Sequence, residues 1–155
     1  MNMNYFHAFV GSMESVIGNI NQGEPVIKGD FYVVEGEFLS SGITAFTDIS
    51  GAFSGSCIID MDFETSLRLT ALFMRLEVDK SDGELVRSCV GEIANQVGGA
   101  AVSQILDMGD EINLSTPKII TGNNSRISDF AGGETIVLPL QSGNMKIQTG
   151  LLIRG

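Results

Sequence analysis

Residues 88–99 read SCVGEIANQVGG and place a hydroxyl (Ser88), a carboxylate (Glu92) and a carboxamide (Asn95) along one side of a helix, with Gly99 continuing the line. At about 100° per residue, Val86, Val90, Ile93, Ala94, Val97 and Ala101 share the opposite side. One face is therefore built for burial. The other offers a particular chemistry: a carboxylate pairs with a cation, and a carboxamide accepts and donates hydrogen bonds at once. Gly91, Gly98 and Gly99 each cost such a helix about 1 kcal/mol relative to alanine. Glycines kept at that cost imply a close approach to the backbone, by another part of the fold or by a docking partner. Periodicity alone does not separate these readings, because a solvated surface helix carries the same polar stripe.

Few other residues offer chemistry. Asp60 and Asp62 form a D-x-D that could hold Mg²⁺, but a strand end followed by a helix N-cap accounts for both. His7 is the single histidine and reads as a packing residue beside an apolar stripe. Cys57 and Cys89 lie far apart, in no C-x-x-C arrangement. A four-ligand zinc site cannot be built from these, no disulfide framework is indicated, and Cys89 reads as a small buried thiol. No phosphate-cradling glycine motif and no G-x-S-x-G nucleophile elbow occurs. The 9 basic and 19 acidic residues give a net charge of −10 and a pI near 4.3. Such a surface repels phosphate backbones and anionic lipid, so neither nucleic acid nor a membrane is an expected partner. No Lys or Arg precedes Lys28, and no apolar run reaches 18 residues. The expectation is a soluble, reduced, cytoplasmic chain.

The elements that must carry the stripe can be read coarsely. Phe6, Phe9, Val10, Met13, Val16, Ile17 and Ile20 mark an amphipathic helix over residues 2–21. From Val26 to Met61 short β-branched and aromatic runs alternate with glycines, and SGITAFTDISGAFSGSCIIDM reads as strands joined by tight turns. Asp62 caps a second helix whose apolar side is Leu69, Leu72, Phe73 and Leu76. Ser81 and Glu84 have capping-box spacing at the start of the long third helix, which closes near Gly109 as a C′ glycine. TIVLPL and MKIQTGLLI flank residues 141–144 and read as a hairpin. The order helix, strands, helix, helix, strands indicates an α+β fold, a layered α/β sandwich with a mostly antiparallel sheet and a long motif-bearing helix. One domain over residues 1–155 is expected.

A longer pattern runs through the third helix. Ser88, Glu92, Asn95 and Pro117 match [D/S]-x3-E-x2-N-x21-P, the signature of the CheC/CheX/FliY group of chemotaxis phosphatases. The order of elements around GITAFTDISGAFSGSCIIDMDFETSLRLTALFM and LSTP also resembles CheX over nearly the whole chain, and a single copy of the motif is closer to CheX than to CheC.

That resemblance implies a function. The substrate would be a response regulator phosphorylated on aspartate, of the CheY-P type, in chemotaxis or two-component signalling. Asn95 would hold the attacking water, since a carboxamide has no useful proton affinity near neutral pH. Glu92 would dock by pairing with an active-site lysine of the regulator. Ser88 and Gly99 would lie at the partner interface, with Ser88 at its rim, and Pro117 would have a structural role. No cofactor would bind this chain, because the Mg²⁺ would arrive on the regulator. The resemblance also implies a homodimer. The rival reading is a non-catalytic module that binds a response regulator or resembles the flagellar-switch FliM middle domain, whose members lack the Glu/Asn pair.

Overall fold

A computed structural model describes residues 3–122, 126–127 and 133–154. The elements run α1 (Met3–Ile20), β1 (Ile27–Lys28), β2 (Tyr32–Glu35), β3 (Phe38–Leu39), β4 (Ile43–Gly51), β5 (Ser54–Met61), α2 (Phe63–Met74), α3 (Gly83–Asp107), β6 (Ile112–Leu114), β7 (Lys118–Thr121), β8 (Arg126–Ile127), β9 (Glu134–Ser142) and β10 (Met145–Arg154). The hairpin read from the sequence, β9–β10, is present, and the strands read in residues 41–61 form a second one, β4–β5. The β9–β10 hairpin turns through Gly143 at φ +59°, a conformation that favours glycine.

β10 sits between β5 and β9, so the two hairpins fuse into one sheet in the order β1-β9-β10-β5-β4-β6. β2 follows β1 along the same flank of β9, and β7 pairs with β4 beyond β6. Every pairing among the described residues is antiparallel. The fold is thus α+β, as expected.

Strand alternation divides the sheet's side chains between two layers. Ile43, Ala45, Ile49, Cys57, Ile59, Met61, Leu138, Leu140, Ile147 and Leu151 face the three helices and form the main core with them. On the opposite face Phe46, Ile58, Val137 and Leu152 pack with Phe38 and Ile127 of the short β3–β8 pair. α1 buries Phe6, Phe9, Val10, Met13 and Ile17, the stripe read from its spacing. His7, by contrast, is exposed rather than packed.

The second and third helices depart from their sequence readings at their ends. Asp62 caps α2 as expected, its Oδ1 accepting from Thr65 N at 2.7 Å. The helix stops at Met74, with Arg75 in the left-handed region at φ 57°, so Leu76 falls outside it and is exposed. At α3 the N-cap is Asp82, not Ser81, and no side chain caps the helix. Ser81 is drawn into a local turn instead: its N–H and Oγ both donate to Asp79 Oδ1, while Asp79 N donates to Asp82 Oδ2. The capping box is therefore not formed. The C-terminal reading holds, with Gly109 at φ +94° just past the helix.

Asp60 is fully buried on the sheet face away from the helices. Its Oδ1 accepts from Ser41 N and Thr44 Oγ1, at 3.0 and 2.6 Å, and its Oδ2 from Ser41 Oγ and Gln148 Nε2, at 2.6 and 2.7 Å. With Asp62 used as a cap, the D-x-D pair has structural work at both positions. Among the described residues no group of three or more His, Cys, Asp or Glu could hold a metal ion. None of the described helices is long and apolar enough to cross a membrane.

Candidate active site on the long helix

α3 is a 25-residue helix, about 37 Å long at 1.5 Å per residue. Val86, Val90, Ile93, Ala94, Val97, Ala101 and Ile105 are buried along one side. Burying an aliphatic side chain of Val or Ile size contributes about 1.5–3 kcal/mol, so this face is firmly held against the sheet and α1. A firmly held helix cannot roll, and the direction of its opposite face is fixed.

That opposite face carries all four residues the sequence placed there. Ser88, Glu92, Asn95 and Gly99 are exposed. Glu92 and Asn95 lie one turn apart, and among the described residues neither side chain has an intramolecular hydrogen bond or ion pair. The acid and the carboxamide are thus both available to a visitor. Cys89, beside them in sequence, turns inward; burial pushes its thiol pKa up, a hydrogen bond with Thr70 opposes this, and the Glu92 charge adds to the rise.

The glycines separate into two kinds. A Cβ at Gly98 would come 2.6 Å from Leu114 Cδ1 of β6, so its absence lets the sheet edge approach the helix. A Cβ at Gly99 would meet nothing within 4 Å. Among the described residues Gly99 costs helix propensity without relieving any contact.

Pro117 is half-buried, immediately before β7. The connector that carries it, residues 115–117, runs past the middle of α3. Leu114 lies against the helix at Gly98, and Ile119 lies at Gly91, where a Cβ would be 3.8 Å from its Cδ1. The connector between them therefore passes at the level of Asn95. It is pinned to β4: Ser115 N donates to Asp48 O at 3.0 Å, and Asp48 N donates to Ser115 Oγ at 2.9 Å. Arg87 closes the same flank, with guanidinium contacts to Thr121 Oγ1 and Ile119 O at 3.3 and 3.4 Å. Pairing of this connector with α3 was not evident from the sequence, because it depends on β6 and β7 both pairing with β4.

Comparison with known proteins bears on this arrangement. The sequence matches the family of the chemotaxis phosphatase CheX over residues 43–141, which includes the whole of α3 and the connector. The chain belongs to the CheX family. Solved structures with the same fold include a CheC-like superfamily protein from Shewanella sp. PV-4, at 22% identity over 100% of both chains with a TM-score of 0.87. The chemotaxis protein CheX of Desulfovibrio desulfuricans is 19% identical over 97% of this chain and 99% of its own, with a TM-score of 0.84. CheX of Borrelia burgdorferi, solved in a CheX–CheY–BeF₃–Mg²⁺ complex, is 25% identical over 97% of this chain and 98% of its own, with a TM-score of 0.83. Comparison with curated proteins finds no match.

Proposed function

We propose that this CheX-family chain hydrolyses the aspartyl phosphate of a CheY-type response regulator, in chemotaxis or another two-component pathway. The observation that carries the proposal is the exposed pair Glu92 and Asn95, without an intramolecular hydrogen bond or ion pair among the described residues, on a rigidly seated helix. The CheY-bound state of the Borrelia relative supports the choice of partner.

In the reaction a water oxygen attacks phosphorus, the bond from phosphorus to the aspartyl oxygen breaks, and the regulator's carboxylate leaves with inorganic phosphate as the other product. The water's proton passes to solvent or phosphate. Little covalent chemistry falls to the phosphatase, and positioning supplies the acceleration. Asn95 accepts a hydrogen bond from the water and donates one in turn, which fixes the water in line with the scissile bond. Glu92 pairs with the regulator's active-site lysine and so sets where Asn95 points. Mg²⁺ comes bound to the regulator and offsets the phosphoryl charge. Ser88 sits at the contact rim, Gly99 lets the partner lie close to the helix, and Pro117 stiffens the connector beside Asn95.

The proposal includes one CheX-like domain across residues 1–155, a cytoplasmic site of action and a homodimer. The β1–β2 edge supports the dimer: Ile27, Phe31, Tyr32 and Val33 are exposed beside a strand whose outer side has no partner among the described residues. Sedimentation that finds only monomer at micromolar concentration overturns that part.

The test of the mechanism is Asn95→Ala. Loss of one positioned hydrogen-bonding group lowers the accelerated phosphate release from an acetyl-phosphate-charged CheY by about 10²-fold or more, while binding to the beryllofluoride-loaded regulator is retained. Unchanged turnover in this variant removes Asn95 from the mechanism.

A further inference from the structure

β6 and β7 both pair with β4, and their registers do not agree. Ile49 lies opposite Leu114, whereas Phe46 lies opposite Lys118. Thr47 and Asp48 of β4 therefore face three residues, Ser115, Thr116 and Pro117, which makes the connector a β-bulge in one edge strand. Its make-up suits that role. Ser115 and Asp48 exchange two bonds as a ladder pair does, but the acceptor on Ser115 is its side-chain Oγ, at 2.9 Å. Pro117 has no N–H to contribute to a ladder. The bulge also resets the alternation of side chains. Leu114 and Ile119 are five apart, an odd spacing that would put them on opposite faces of a regular strand, yet both lie against α3. Thr116, in the middle, is exposed. Its carbonyl accepts from Ser115 Oγ at 3.2 Å, but neither its N–H nor its hydroxyl has a partner among the described residues.

The bulge lies beside the reaction centre proposed above. Gly91 and Gly98, under Ile119 and Leu114, are about 40° and 60° around the helix axis from Asn95, both on one side of it. The connector thus runs along the flank of α3 next to the carboxamide. We infer that Thr116 is a second contact for the same regulator, donating a hydrogen bond from its hydroxyl to the rim of the crevice that receives Asn95. This rests on the phosphatase reading and extends it from the helix to the sheet edge. The shape of the partner chooses the occupant. A regulator of the CheY type has its site at the carboxyl ends of its strands, in a crevice walled by loops. A side chain that enters a crevice brings the rim down on whatever flanks it, and on this side of Asn95 that is the bulge. The contact area agrees. About 800 Å² on each partner is a patch of about 16 Å radius, and the connector rests on a helix only about 10–12 Å across. Loop rims carry backbone carbonyls outside any ladder, and a hydroxyl donates to one whatever the charge of either protein. Loops are also the variable part of such a fold, so this contact discriminates among regulators.

Steady-state phosphate release from acetyl-phosphate-charged CheY tests this. Thr116→Val keeps the branching of the side chain and removes its hydroxyl. The expected result is a KM raised about 2- to 12-fold, the scale of one neutral hydrogen bond, with kcat and the melting temperature unchanged. Thr116→Ser retains the donor and should keep the wild-type KM. An unchanged KM in Thr116→Val, with Asn95→Ala still slowing turnover, overturns the contact and leaves the phosphatase reading intact. A lowered melting temperature in Thr116→Val, or a KM raised equally by both substitutions, assigns Thr116 to the fold and also overturns the inference. A wild-type chain that fails to accelerate hydrolysis overturns both readings.

Discussion

Gly99→Ala separates what the fold needs from what the partner needs. Replacing an interior helical glycine by alanine gains about 0.8–1.0 kcal/mol. Nothing lies within 4 Å of the added Cβ, so no packing strain offsets that gain. For a chain of this length 1 kcal/mol moves the melting temperature by about 2–4 °C, and the variant should melt higher by about that amount. In the proposed complex with the regulator the same methyl enters the contact. Overpacking costs about 1–3 kcal/mol, which raises KM by about 5- to 150-fold. One substitution therefore stabilises the protein and impairs it. Gly98→Ala is the internal comparison: it has the same propensity gain, but its methyl displaces Leu114 Cδ1, so its melting temperature should rise less than that of Gly99→Ala. Calorimetric melting and phosphate release measured on both variants decide the matter. A raised melting temperature with an unchanged KM removes Gly99 from the contact, and a lowered one contradicts the open space above it.

Glu92→Lys sets like charges against each other at the docking lysine and should weaken binding of beryllofluoride-loaded CheY by at least tenfold, with stability within about 0.5 kcal/mol of wild type; undiminished affinity in a titration means the helix docks another way. Asp60→Ala removes the acceptor of the buried Thr44 hydroxyl and of the more accessible Ser41 and Gln148, so denaturant unfolding should show a loss of about 1–3 kcal/mol, and an unchanged stability refutes the network's role. Burial pushes the Cys57 thiol up to about 12. In the unfolded chain it ionises near 8.5, so between those values only the unfolded state has released the proton, and stability falls as pH rises. Cys57→Ser should lose less stability than wild type between pH 9 and 11, and parallel curves for the two proteins would refute this.

How much of this was legible depended on whether the cause was local. The two faces of α3 follow from a 3.6-residue period within one segment, and every residue read as buried or exposed on them is so placed. The hairpin turn at Gly143 and the Asp62 cap are likewise decided within a few residues. Ser81 was misread because Asp79 and Asp82 compete for the same turn, and spacing does not weigh such rivals. Leu76 continues the helical period, but Arg75 turns the chain out of the helix before it is reached. Gly98 and Gly99 are adjacent and indistinguishable in sequence. Only the position of Leu114, sixteen residues after Gly98 on β6, separates them.

β10 has a consequence for how the molecule is made. It is the seam of the sheet: residues 145–154 join β9 on one side to β5 on the other, and both are synthesised before it. Until this segment leaves the ribosome, β4 and β5 hold one fragment and β9 another, each with an open edge and an unfinished core. α3, although translated before it, has no continuous floor to settle on until then. The direction in which its exposed face points is fixed only once β10 has closed the sheet.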